Sequence, residues 1–268
     1  MTTKNPLGQA TAYPDQYSPD LLYAIARTDS RTALGLDGDL PFQGVDIWNA
    51  WELTWLDDNG QPQVAIAEIR VPADSPSIIE SKSLKLYLGS FAMTRLSGSD
   101  DLAERIRNDL GQCSGSDVAV TLRSASDDFS IDTLPGTCID SPGVSCDAYD
   151  VNADLLAASG DPVDESLHSH LLRSLCPVTD QPDIGSVLVT YRGPRIDPAG
   201  LLKYIVSFRN HNDFHEACVE RMFLDISEQC RPEQLSITAC YQRRGGIDIN
   251  PYRSNVDGDP PNIRLSRQ

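Results

Sequence analysis

The feature that most constrains this chain is an order of elements that is written twice. In the first copy, residues 45–56 alternate apolar and polar, with Ile47, Trp51, Leu53 and Trp55 on one side of the alternation. Asp57-Asp58-Asn59-Gly60 supplies turn chemistry, and residues 63–71 alternate again, which reads as a hairpin. Helices are expected over 81–94 and 102–110, the second capped by Ser99-Asp100-Asp101, and a strand over 117–122. In the second copy, strands at 168–175 and 186–191 precede helices at 197–208 and 213–226 and a strand at 235–242. Phe214, Cys218, Val219, Met222, Phe223 and Ile226 have the spacing of one buried helix face. Lys85-Leu86-Tyr87-Leu88-Gly89-Ser90-Phe91 is echoed by Lys203-Tyr204-Ile205-Val206-Ser207-Phe208. The pattern predicts an α+β chain of two tandem modules, each an antiparallel sheet with paired helices. Residues 124–162, rich in Asp, Ser, Gly and Pro, read as insertion and linker, which places the modules at 1–150 and 151–268. Half-open sheets leave edges that must be paired or covered, and assembly into a closed barrel would do so.

Charge narrows the function. The formal net charge is −17, so the surface repels polyanions and a nucleic-acid partner is disfavoured, whereas a small anionic cofactor needs only a local basic pocket. No apolar run of eighteen residues occurs, so no membrane span is expected. Residues 1–17 are polar, contain Pro6, Gly8 and Pro14, lack the pattern of a signal peptide, and read as an arm on a cytoplasmic protein. The seven cysteines include no close CxxC pair, so neither a disulfide framework nor a zinc knuckle is expected.

Four segments can carry chemistry. Cys176 ends an apolar strand and enters a Pro-rich loop, and Asp183 returns seven residues later; together they suit a nucleophile and a proton donor. A packing cysteine beside turn-forming aspartates would look the same. Phe214-His215-Glu216 places His215 and Glu216 about 100° apart on a helix. His215 can relay a proton and Glu216 can accept from an amidine-like purine edge, although a solvated helix face has the same composition. Glu80-Ser81-Lys82-Ser83-Leu84-Lys85 offers a helix start capped by Ser81 beside Lys82 and Lys85, a possible phosphate site. Arg243-Arg244-Gly245-Gly246 can grip a phosphate or form an ordinary basic turn. No GxGxxG or GxxxxGK[ST] pattern is present, so Rossmann and P-loop sites are rejected.

Two other classes of function remain open on these residues. His168 with His170, and His211 with His215, could hold zinc in an enzyme acting on a pterin or purine nucleotide. A non-enzymatic purine-binding or assembly module would keep Glu216 and catalyse nothing.

At these four blocks the chain resembles the 7-cyano-7-deazaguanine reductases of queuosine biosynthesis (QueF type), in their longer two-module form. The residues that carry the likeness are Glu80 to Lys85, Cys176-Pro177-Val178-Thr179-Asp180-Gln181-Pro182-Asp183, Phe214-His215-Glu216 and Arg244-Gly245-Gly246. Asp180 departs from the family pattern, which has Gly; it is expected to face solvent, and Asp tolerates a positive φ better than most residues.

The resemblance implies two tunnelling-fold (T-fold) modules that assemble into a barrel with sites between modules, and a cytoplasmic homodimer. It implies NADPH-dependent reduction of a nitrile to an amine, two NADPH per turnover and no metal. Cys176 would form a thioimide, Asp183 would protonate nitrogen and His215 would assist. Ile79, Glu80, Ser81, His215 and Glu216 would bind the deazapurine. Ser81, Lys82, Arg244 and Gly245 would hold NADPH, with Lys85 a weaker candidate.

Overall fold

The computed structural model describes residues 13–141 and 143–268. The expected N-terminal arm lies outside the described residues up to position 12. Beyond it the chain is docked, with the Tyr17 hydroxyl donating to Asp109 at 2.8 Å and the Met93 N–H to the Asp15 carbonyl at 2.8 Å. The chain divides into two compact units. The first comprises Met1–Asp37, Ile47–Phe129 and Arg243–Asp248; the second comprises Gly38–Asp46, Ser130–Gln242 and Ile249–Gln268. Residues 130–150, which composition assigns to a linker of the first module, cluster with the second unit.

The first unit begins with β1 (Ala24–Ala26) and α1 (Arg27–Ala33). Its hairpin is β2 (Gln43–Leu56, whose first residues belong to the second unit) and β3 (Pro62–Pro72). The turn forms as its residues dictate: the Asp57 carboxylate accepts from the Asn59 and Gln61 N–H groups at 2.9 Å, and Gly60 takes φ 83°. A short β4 (Ser77–Ile79) pairs antiparallel with β1 and leads into α2 (Ser81–Gly89). α3 (Ser99–Ser114) follows and packs on β5 (Ala119–Ser124), which pairs antiparallel with β3. The strand order is β5-β3-β2. Leu84, Leu102, Ile106 and Leu110 are fully buried. α2 stops at Gly89 rather than reaching 94. α3 is capped at Gly98, not by Ser99-Asp100-Asp101; the two aspartates lie in the first turn, where they complement the helix dipole.

The second unit repeats the order. After β6 (Thr137–Cys138) come the long antiparallel partners β7 (Ala158–Leu175) and β8 (Pro182–Ile196), with irregular pairing between Ser159 and Pro162 and between Ser169 and Leu172. α4 (Pro198–Ser207) starts at an Asp197 cap, whose carboxylate accepts from Ala199 and Gly200 N–H groups. α5 (His215–Cys230) packs on β9 (Gln234–Tyr241) through Cys218, Val219, Met222, Phe223 and Ile226. β10 (Ile247–Ser254) pairs with β9, and the strand order from that edge is β10-β9-β8-β7-β6. Both units are thus mixed α+β, each with a hairpin, two helices and a strand in that order.

Candidate active site

Cys176 sits one residue beyond the end of β7. Ser174 pairs with Asp183 and Leu175 with Pro182, and the Cys176 N–H donates to the Gln181 carbonyl at 3.0 Å. In that register residues 174, 176, 181 and 183 share one sheet face, so Cys176 and Asp183 are diagonal neighbours on adjacent strands. The hairpin closes through Asp180, whose N–H donates to the Cys176 carbonyl at 3.0 Å and whose φ is 55°. Asp180 is exposed as expected, yet it is not idle, because its carboxylate accepts from the Asn212 amide at 2.8 Å.

The helix α5 brings in the second group. His215 is its first residue, and its Nε2 lies 3.2 Å from the Asp183 Oδ2; Asp183 is only 3% exposed. A buried carboxylate against an imidazole shares a proton readily. The ring is fixed from the other side by Tyr241, stacked at 3.7 Å between centroids and 4° between planes. Tyr241 has room because its partner across the ladder is Gly185: a Cβ there would lie 3.2 Å from Tyr241 Cδ1. Glu216 follows His215 and is buried.

Three of the other cysteines are poor nucleophiles. Burial pushes the Cys218 thiol well up, and it pushes Cys113 and Cys230 up to about 11. Cys176, half-buried at a strand end, lies diagonal to Asp183, which in turn meets His215.

A second cluster belongs to the first unit. Glu80, not Ser81, caps α2: its carboxylate accepts from the Lys82 N–H at 2.9 Å and the Ser83 N–H at 2.7 Å. The amides that a phosphate would take at this helix start are therefore held by Glu80, and any anion here must rely on side chains. Ile79 ends β4 opposite Ala24, and Ser81 opens the helix. Arg244 begins a tight turn to Ile247, with its N–H donating to the Ile247 carbonyl at 2.8 Å, and Gly245 and Gly246 take φ 59° and 82°. Two successive positive φ values are those of a type I′ turn. A Cβ on Gly245 would lie 3.1 Å from Lys85 Cδ, so the Lys85 stem lies along the bare backbone of this turn. Lys85 is thus the residue that joins the α2 segment to the Arg244-Gly245 turn.

Of the histidines read as possible ligands, His168 and His170 have rings 5.3 Å apart. His211 lies before α5, so it shares no helix face with His215. Tyr241, Gly185 and the capping role of Glu80 carried no signal in the sequence, since a strand-end Tyr and a strand Gly are ordinary.

Residues 13–122 match a family model described as "Nitrile reductase, 7-cyano-7-deazaguanine-reductase N-term", and residues 182–259 match one described as "QueF-like protein". A protein of Burkholderia orbicola named NADPH-dependent 7-cyano-7-deazaguanine reductase is 51% identical over 98% of each chain. Proteins with the same name from Chromohalobacter salexigens and Paraburkholderia phytofirmans are 50% and 48% identical, over 98% and 99% of this chain and 96% and 98% of theirs. A solved chain of an archaeosine synthase, QueF-Like in the apo form, is 18% identical, with a TM-score of 0.32 over 38% of this chain and 99% of that one.

Proposed function

This chain belongs to the family of NADPH-dependent 7-cyano-7-deazaguanine reductases, enzymes that reduce a nitrile, and on that premise we propose that Cys176 carries the reaction through a covalent thioimide. The observation that supports it is the placement of Cys176 and Asp183 on one face of a hairpin base with His215 held against Asp183. A nitrile carbon is a modest electrophile. Addition of the Cys176 sulfur to it, with a proton delivered to nitrogen, gives a thioimide that accepts hydride far more readily. Asp183 delivers that proton, and His215 replenishes it. Once the thioimide carbon has taken one hydride, the resulting thiohemiaminal breaks its carbon–sulfur bond, returns the Cys176 thiolate and leaves an imine, which the site must keep from water. Reduction of nitrile to amine takes four electrons, so NADPH, when bound, supplies a hydride twice per turnover.

Glu216 reads the guanine-like edge by charge-assisted hydrogen bonds, with Ile79, Glu80, Ser81 and His215 as further contacts. Because Glu80 already holds two amides, the backbone beside it is the better supported contact. NADPH phosphates fit the donor set of Ser81, Lys82, Arg244 and the exposed backbone of Gly245, with Lys85 now a stronger candidate than its position alone suggested. The catalytic step asks nothing of a metal. In this reading the units are tunnelling-fold modules, the protein is a cytoplasmic homodimer whose sheets close into a barrel, and its 7-aminomethyl-7-deazaguanine product serves queuosine tRNA modification. The repeated order of elements supports the module assignment, and sedimentation tests the dimer. The net charge of −17 argues against a nucleic-acid partner, and no helix among the described residues is long and apolar enough to cross a membrane.

The test is NADPH absorbance on mixing with 7-cyano-7-deazaguanine, together with the intact mass of the protein after exposure to the nitrile alone. Wild type is expected to consume two NADPH per nitrile and, without NADPH, to gain the mass of the substrate. Cys176→Ala is expected to do neither. Turnover by Cys176→Ala would overturn the thioimide.

A further inference from the structure

We propose that the second unit carries a zinc-type metal site built from Cys138, His168 and His170, separate from the nitrile chemistry. One ligand atom from each of the three lies within 4.8 Å of the others. A tetrahedral site with bonds of about 2.0–2.3 Å needs ligand atoms roughly 3.3–3.8 Å apart. Of the three side chains Cys138 is the exposed one, and a turn about its χ1 can shorten its distances to the two rings. The donor set of two imidazoles and a thiolate is that of zinc and its neighbours rather than of magnesium or calcium.

The backbone dictates the cluster. His168 and His170 are two apart on β7 and point to one side, and their rings meet edge to face at 5.3 Å. β6 runs parallel to β7 with Cys138 in register with His168, and the Ile139 N–H donates to the His168 carbonyl at 2.9 Å. Asp140 fixes the other side: its carboxylate accepts from the His170 N–H at 2.8 Å and from the Ser169 hydroxyl at 2.5 Å.

The tautomer of His168 is also set for binding. The His168 Nδ1 lies 2.9 Å from the Pro135 carbonyl, which can only accept, so Nδ1 carries the proton and Nε2 presents its lone pair. The His170 Nδ1 lies 2.9 Å from the Ser186 hydroxyl, which can accept in the same way. A ligating histidine whose other nitrogen donates to a carbonyl or hydroxyl is the usual arrangement around a bound metal. Three protein ligands leave a fourth position for water. The ion would add a further tie between β6 and β7, beside the bonds of Ile139 and Asp140.

The experiment is titration of the full chain, stripped with chelator, with Co²⁺ and separately with Zn²⁺. Wild type is expected to bind one Co²⁺ per chain with the intense visible bands of a tetrahedral site and a thiolate-to-cobalt charge-transfer band. Zn²⁺ should displace it and raise Tm by on the order of 5 °C at a hundredfold excess over Kd. Cys138→Ser, at an exposed position, is expected to lose the charge-transfer band and the Tm rise while keeping NADPH consumption. His170→Ala is expected to lose the bands, and Cys176→Ser to keep them. Absence of the bands in wild type, their survival in Cys138→Ser, or their loss in Cys176→Ser would each overturn the site.

Discussion

Gly185 and Asp180 show how much of the site rests on residues with no chemistry of their own. A methyl at Gly185 would meet the Cys240 carbonyl at 3.0 Å and the Tyr241 ring at 3.2 Å, and that ring carries His215. Gly185→Ala is therefore expected to cost about 1–3 kcal/mol of stability by overpacking. It should also lower kcat, because the imidazole loses its fixed angle to Asp183; unchanged kcat alongside a lowered Tm would show that the stack does not position His215. Removing the acid itself by Asp183→Asn should cost roughly 10²–10⁴-fold in NADPH consumption at unchanged fold, and a smaller loss would remove Asp183 from the proton transfer. Asp180 holds φ 55° at the hairpin tip, which glycine adopts freely. Asp180→Gly is expected to keep activity and Tm, since relief of strain offsets the lost Asn212 contact, whereas Asp180→Val should lower Tm by several degrees. Cys176, Asp183, His215 and Glu216 were singled out by the family resemblance of the blocks that hold them, since each block alone also reads as packing or a solvated face. Gly185 and Tyr241 were not, because their roles arise only when β8 and β9 pair.

Among the elements, alternation and amphipathic spacing located β2, β3, α5 and β9 to within a few residues. What escaped the pattern was structure whose buried groups are polar. α1 buries Arg27 and Arg31, which reach Ser75, the Pro72 carbonyl and the Ala73 carbonyl, so its inward face reads as solvent-facing. β10 buries Asp248, Asn250 and Arg253 and contains Pro251, which marks a loop in most sequences. The start of β7 passes through Gly160 and Pro162 at an irregular pairing, which breaks the alternation. The α2 start was misread for a related reason: Ser81 has the right type for a cap, but the longer Glu80 reaches the same amides. Glu80→Ala should then lower stability by about 1 kcal/mol or somewhat more. Glu80→Gln, which keeps an acceptor, should restore most of that loss while leaving KM for the nitrile raised. Full recovery of both by Gln would make Glu80 a cap and nothing else.

At the scale of the whole molecule, one buried ion cluster ties distant parts of the sequence together within the second unit. Arg253 of β10 is fully buried; its Nη1 donates to Asp46 at 2.7 Å, and its Nε and Nη2 donate to Glu220 of α5 at 3.1 and 2.9 Å. Desolvation works against its charge, but Asp46 and Glu220 outweigh it and hold the guanidinium pKa above its ordinary value. Both buried carboxylates accept from this one guanidinium, so the worth of the cluster depends on all three members being present. Arg253→Met would take this guanidinium from two buried carboxylates and should cost about 3–5 kcal/mol, a fall in Tm of roughly 10 °C. The triple change Arg253→Met, Asp46→Asn, Glu220→Gln removes the charges together and should recover much of that loss. If the triple variant is no more stable than Arg253→Met, the penalty lies in lost packing around Phe42, whose ring the guanidinium also covers at 5.7 Å, rather than in the lost ion pairing.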